Sequence, residues 1–294
     1  CSYKGSFCTI PMARGESRSP QIKAVIVNAK LLVDAGFEEV VVTGVDAGDV
    51  GRGTDEKFFM LLQKLDTVSG LERIRFSSVE PNLMHEEIIH FTAESDKIQP
   101  HFHMPLQSGS DKMLGLMRRR YQSDLYRQRV ELIKNLMPDA AIGVDVITGH
   151  PGETDELFQE SYDFINSLPI SYLHVFTYSE RPNTHALDIE PQVQDSVRKE
   201  RTHKMRRLSK KKRFNFDTSF ADEVRPVLFE GANKNGAMLG WTDNYVRVGI
   251  PYNPQYENRI LPVRLGERAK DGYLIGELTP EAKQEQEVIA ELVG

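Results

Sequence analysis

Both cysteines of this 294-residue chain, Cys1 and Cys8, lie in its first eight positions. Thiolates hold iron–sulfur clusters, and closely spaced cysteines in a short loop suit them. A cluster usually takes more than two, so on spacing alone two unrelated thiols are the commoner meaning. Five later loops mix glycine or proline with small polar or acidic residues. They are Thr43-Gly44-Val45-Asp46, Ser77-Ser78-Val79-Glu80-Pro81, the run from His103 through Gln107-Ser108-Gly109-Ser110, the run from Gly149 to Thr154, and Tyr178-Ser179-Glu180-Arg181-Pro182. Glycine lets backbone approach a ligand closely. Each loop also has a plain meaning: Gln107 to Ser110 as a capped turn, Thr154 as a helix N-cap. Five in series argue for one ligand site. Arg118, Arg119 and Arg120 point in different directions on a helix, so one faces inward. They either favour the negative end of a helix dipole or offer a bidentate guanidinium to a carboxylate. His101, His103 and His174 alternate with apolar residues, as metal ligands or, more commonly, as hydrogen-bonded groups of a core or barrel mouth.

These loops need elements to hold them. Ser19-Pro20 predicts the start of a helix that carries Ile22, Val25, Ile26, Ala29, Leu32 and Val33 on one face and ends at Gly36. Val40-Val41-Val42 reads as a buried parallel strand. The alternation continues with helix over 58–65, strand 74–79, helix 83–91, extended chain 98–103, helices 111–117 and 125–137, strand 141–147, helix 157–168 and strand 172–178. Five strands alternating with helices predict an α/β parallel sheet or barrel, whose chemistry sits at the C-terminal ends of the strands. From Phe214 the texture changes to five short strands, at 224–230, 237–242, 245–249, 260–265 and 273–278, with a tight hairpin at Thr242-Asp243-Asn244. That pattern predicts a small closed β-barrel of the OB-like kind, a common binder of nucleic acid. A short exposed helix is expected in the tail.

An apolar share of 39% and a charged share of 27% fit a soluble globular protein of one large or two ordinary domains. No apolar run is long enough for a membrane span, two cysteines make no secreted disulfide framework, and a reducing cytoplasm is expected. The lack of an initiator Met implies that the natural start lies upstream. Net charge is −6, yet ten Lys/Arg and one Glu fall between Arg198 and Arg213. Such a run is either a solvated helix face or a contact for RNA phosphates, through Lys210, Lys211 and Lys212. Tyr245, Arg247 and Trp241 offer stacking or clamping of bases, and Trp241 equally suits a core.

The stretch Cys1-Ser2-Tyr3-Lys4-Gly5-Ser6-Phe7-Cys8-Thr9-Ile10-Pro11, with Ala13-Arg14-Gly15 behind it, resembles the cluster loop of radical S-adenosylmethionine (SAM) methylthiotransferases. That loop reads C-x3-C-x2-C, then an apolar pair, Pro and Arg-Gly. The middle cysteine is missing; position 5 is glycine, which cannot ligate. The resemblance is strongest to the branch that methylthiolates threonylcarbamoyladenosine beside the tRNA anticodon. It implies a partial (β/α)6 TIM-like barrel lacking its first strand over residues 1–213, a TRAM RNA-binding barrel over 214–280 and a tail over 281–294.

It also implies a 4Fe-4S cluster on Cys1 and Cys8, with the third ligand position at Gly5, and a second 4Fe-4S cluster in an absent N-terminal domain. SAM would be met by Thr43 and Gly44 at its amino group and by Ser78 and Glu80 at its ribose. Gln107, Ser108 and Gly109 would lie beside the cluster, Ile147 beside the adenine, and Arg120 at the carboxylate. In the family, reductive cleavage of SAM gives a 5′-deoxyadenosyl radical that takes hydrogen from C2 of the adenosine, with no side-chain acid or base required. The implied partners are tRNA and a reducing system such as flavodoxin; a monomer is expected, with no membrane. Asp46 and His150 depart from the family pattern. Two other functions remain open: a cluster-deficient tRNA-binding protein, and a methylthiotransferase acting on a ribosomal protein.

Overall fold

The computed structural model describes residues 3–234 and 236–284; Cys1 and residues 285–294 of the tail lie outside them. Five strands, β1 (Glu39–Val42), β2 (Arg73–Phe76), β3 (His101–His103), β4 (Ala141–Thr148) and β5 (Tyr172–Thr177), run in chain order. β1 pairs with β2 in parallel, and β3, β4 and β5 likewise. A bridge between Ile74 and Ile98, and the Val79 N–H donated to the His103 carbonyl at 3.1 Å, connect the two sheets. The β-branched and aromatic runs that predicted these strands pack under α3 (Phe58–Asp66), α4 (Glu86–Glu94), α6 (Ser123–Leu136) and α7 (Asp155–Ser167). Two shorter helices, α1 (Ile10–Arg14) and α5 (Asp111–Leu116), follow the cysteine loop and the loop after β3. The sixth strand of a (β/α)6 barrel is not among the described residues. Among the described residues β1 pairs with β2 on one edge only, and Val41 is 50% exposed.

Helix α2 (Ile22–Asp34) begins two residues later than Ser19-Pro20 suggested. The Glu56 carboxylate, from a distant loop, accepts the Ile22 N–H at 3.1 Å and takes the cap's place. At the other end Gly36 adopts φ 87°, and the Phe37 N–H reaches the Leu32 carbonyl at 3.1 Å, the Schellman arrangement that glycine permits.

Helix α8 (Asp195–Thr218) has 24 residues and spans about 36 Å. The expected domain boundary at 213/214 falls inside it. Five further strands then close into a barrel: β6 (Val224–Lys234), β7 (Ala237–Thr242), β8 (Arg247–Pro251), β9 (Ile260–Arg268) and β10 (Leu274–Leu278). Their cyclic order is β6-β7-β8-β10-β9, with only β8 and β10 parallel. Val227, Phe229, Val248, Val263 and Leu265 fill its core.

The barrel docks on the parallel sheet through buried arginines. Arg75 donates to the carbonyls of Thr242 at 2.6 Å and Asp243 at 2.9 Å, and its Nε to the Glu39 carboxylate at 3.1 Å. Arg73 donates to the carbonyls of Pro226 at 2.7 Å and Trp241 at 3.3 Å. Tyr245, held at φ 66° in the β7–β8 hairpin, lays its ring on His101 with centroids 3.8 Å apart.

Candidate functional site

Four chain segments converge at the C-terminal ends of β1 and β2. The loop after β1 brings Asp46, the loop after β2 brings Ser78, Glu80 and Asn82, and the segment after α5 brings Arg119. The cysteine loop lies against them: Ser6 N–H donates to the Met117 carbonyl at 3.2 Å, and Tyr3 hydrogen-bonds Asn82. Glu80 is buried and pairs with Arg119 at 2.9 Å. Among the described residues its other carboxylate oxygen, Oε2, has no partner, and neither has Asp46 Oδ2. Burial pushes the Glu80 carboxyl up to about 7, against the pull of Arg119, and the Asp46 carboxyl up to about 6. An orphaned buried oxygen costs free energy that a donor from a ligand can return. Ribose hydroxyls and an ammonium are among such donors.

The inward arginine is Arg119 rather than Arg120. Its guanidinium reaches Glu80 and covers the Phe7 ring at 5.3 Å, whereas Arg120 is exposed and lies over the Tyr3 ring at 4.8 Å. The preceding residue, Arg118, has φ 58°, so the helix ends there and the three arginines splay. Thr43 and Gly44 are exposed and line a cleft of about 770 Å³ between α2 and β1. Gln107 has φ 70° and its N–H donates to the Asp145 carbonyl at 2.8 Å, which sets it beside Ile147. Ser108 is buried and its hydroxyl caps the turn through the Ser110 N–H at 3.2 Å. Gly109 is turned onto α7, where a Cβ would come 2.8 Å from the Ser161 carbonyl, so packing alone explains its glycine.

In the Gly149–Thr154 loop Thr154 caps α7 by accepting the Leu157 N–H at 3.3 Å, and Glu153 is held by Arg201 at 2.8 Å. His150 is fully buried, with Nε2 3.1 Å from the Ser6 hydroxyl; burial pulls it down to about 4, so it is neutral.

The cysteine loop tests the fit of a cluster. Cys8 is a free, partly buried thiol, Cys1 lies outside the described residues, and position 5 offers no ligand atom. A Cβ at Gly5 would meet only ordinary contacts, the nearest 3.6 Å away at Arg119 and Met117. The backbone thus has room for a third thiolate, but the donor set present is one short of the three such a cluster requires.

Two expectations for RNA contact are corrected. Both faces of the Tyr245 ring are covered, by His101 and by Trp241 at 4.2 Å, so it has no face for a base. Lys212 donates to the carbonyls of Leu168 at 2.7 Å and Asn166 at 3.0 Å, capping the end of α7. Lys210 and Lys211 are exposed. Arg247 pairs with Glu230 at 3.4 Å and covers the Trp241 ring at 4.8 Å. The sequence reading missed Arg73 and Arg75, whose signal was two charges at alternate positions of a short buried strand.

The family model of the radical SAM superfamily matches residues 1–165. The chain belongs to the radical SAM superfamily. It is 39% identical over 279 residues to the threonylcarbamoyladenosine tRNA methylthiotransferase MtaB of Bacillus subtilis, covering 93% of this chain and 61% of that protein. It is 34% identical to the tRNA-2-methylthio-N(6)-dimethylallyladenosine synthase of Wolinella succinogenes, covering 94% and 65%. The chain thus spans less than two thirds of these relatives. Among solved structures, the radical SAM methyltransferase TsrM of Kitasatospora setae shares the fold, with a TM-score of 0.53 at 16% identity over 63% of this chain and 36% of that one. No helix among the described residues is long and apolar enough to cross a membrane.

Proposed function

We propose that this chain is the SAM-binding and RNA-binding portion of a tRNA methylthiotransferase acting on N6-threonylcarbamoyladenosine. The observation that carries the reading is two buried carboxylate oxygens, on Glu80 and Asp46, without a partner among the described residues, with Glu80 tied to the cysteine loop through Arg119. In this reading Glu80 accepts from the SAM ribose, with Ser78 nearby. The backbone of Thr43 and Gly44 meets the amino group, and Gln107, Ser108 and Ile147 border the nucleoside. SAM supplies the radical chemistry of the family when it is cleaved. The loop of this chain is a thiolate short of holding the cluster, and no radical step is assigned to it; its own residues bind and orient. The order of strands in the second barrel supports an OB-like TRAM domain, and the exposed Lys210 and Lys211 of α8 support contact with phosphates.

A second reading, a tRNA-binding protein without a cluster, is favoured by Gly5 alone. Anaerobic reconstitution with iron and sulfide, of this chain beside Gly5→Cys, tests whether the loop is otherwise built to hold a cluster. A cluster and SAM cleavage with dithionite in Gly5→Cys only is the expected result. A full cluster in the unaltered chain would defeat the argument from Gly5; no cluster in either would favour the second reading.

A further inference from the structure

Deeper in the parallel sheet, three side chains with metal-binding atoms meet on its inner face. His103 ends β3, Asp145 lies in β4, and His174 lies opposite Asp145 in the β4–β5 register. One ligand atom from each lies within 4.8 Å of the other two. We propose that His103, Asp145 and His174 form a binding site for a divalent first-row transition ion, separate from the cysteine loop and independent of the RNA reading above.

His103 Nε2 and Asp145 Oδ1 are 2.9 Å apart. Two ligands about 2.1 Å from an ion on perpendicular bonds lie about 3.0 Å apart, so the pair is already spaced as neighbours in a coordination sphere. The other His103 nitrogen, Nδ1, is 2.6 Å from the Ser78 hydroxyl. A metal-binding histidine is typically oriented in this way, its second nitrogen donating to an oxygen behind it. His174 is set by its strand and by the Tyr172 ring, whose centroid is 5.2 Å away. Among the described residues its ring nitrogens have no hydrogen-bond partner, and the residue is exposed.

Two imidazoles and one carboxylate, without sulfur, select iron(II), cobalt(II) or zinc(II) rather than a soft ion, and leave coordination positions open on one side. The exposure of His174 leaves access for an oxygen or nitrogen donor of a bound molecule to complete the sphere.

The test uses cobalt(II) added anaerobically to the full chain freed of metal. One equivalent should bind, with a ligand-field spectrum and no thiolate charge-transfer band. His174→Ala, at an exposed position, and Asp145→Asn should each weaken binding at least tenfold. Ser78→Ala should weaken it about tenfold, and Cys8→Ala should leave it unchanged. Circular dichroism of each variant separates lost binding from lost fold. Absent stoichiometric binding, equal affinity in a folded Asp145→Asn, or a thiolate band abolished by Cys8→Ala would each overturn the proposal. A bound ion also predicts that iron reconstitution leaves one iron per chain unmatched by sulfide, and that Asp145→Asn removes it.

Discussion

The two ends of the parallel sheet bury charge in opposite ways. At the base, Arg73 and Arg75 send donors into backbone carbonyls of the second barrel and into Glu39. At the rim, Glu80 and Asp46 each retain an oxygen that no described residue reaches. Burial alone therefore does not distinguish structure from function. The filled charges at the base hold the two lobes together, whereas the two carboxylates at the rim keep capacity beside the loops that converge there. Removing a partner at the base should cost stability. Removing the charge at the rim should add stability and cost binding.

The largest effect is expected at the base. Arg75→Ala leaves Glu39 with only the weaker contact to Arg73 at 3.9 Å and strips two carbonyls of their donor. It should lower the unfolding free energy by about 3–5 kcal/mol, read by urea denaturation. Loss below 1 kcal/mol would mean that the two lobes are not held by this contact.

The rim should respond with the opposite sign. The folded state holds the Asp46 proton more tightly than the unfolded chain, since burial raises that carboxyl from 3.8 to about 6. Stability is then full below pH 4 and falls as the pH rises through 6. Asp46→Asn removes the penalty. It should match the parent at pH 4 and exceed it by about 1–3 kcal/mol at pH 8, in denaturation at both values. A variant less stable at pH 8 would show that the charge is compensated after all.

The smallest effect sharpens the same contrast on α8. Replacing the exposed Lys210 and Lys211 by Gln should flatten the salt dependence of tRNA affinity by about 0.7–0.9 per lost phosphate contact. Lys212→Gln should leave the slope alone, because that ammonium already serves α7. Filter binding across a salt series decides, and equal slopes in parent and double variant would remove α8 from the RNA surface.

The alternation of strands and helices was legible in the sequence because β-branched runs such as Val40–Val42 and amphipathic faces such as that of α2 are local signals. The hairpin at Thr242–Asn244 and the N-cap at Thr154 were legible for the same reason. What stayed hidden depends on partners distant in sequence. Helix α1 is short, with Pro11 at its second position, and the start of α2 is capped from Glu56. Which of three adjacent arginines turns inward depends on the chain reversal at Arg118. Tyr245 looked like a base-stacking residue because its exposure in a hairpin is a local inference, whereas the ring that covers it, His101, comes from the other lobe. The run of cations on α8 read as one patch, yet Arg198 and Arg201 are buried in ion pairs and Lys212 is a cap.

The hairpin seated under the parallel sheet also bears on how such chains can be recombined. Arg73 and the Trp241 carbonyl it reaches are 168 positions apart, and Arg75, His101, Thr242 and Tyr245 belong to the same contact. The floor of one lobe is made from the other, so neither lobe is a free-standing cassette. A chimera that exchanges the second barrel for that of a relative must carry the matching residues of β2 and β3 with it, and substitutions on the two sides of this seam are constrained to drift together.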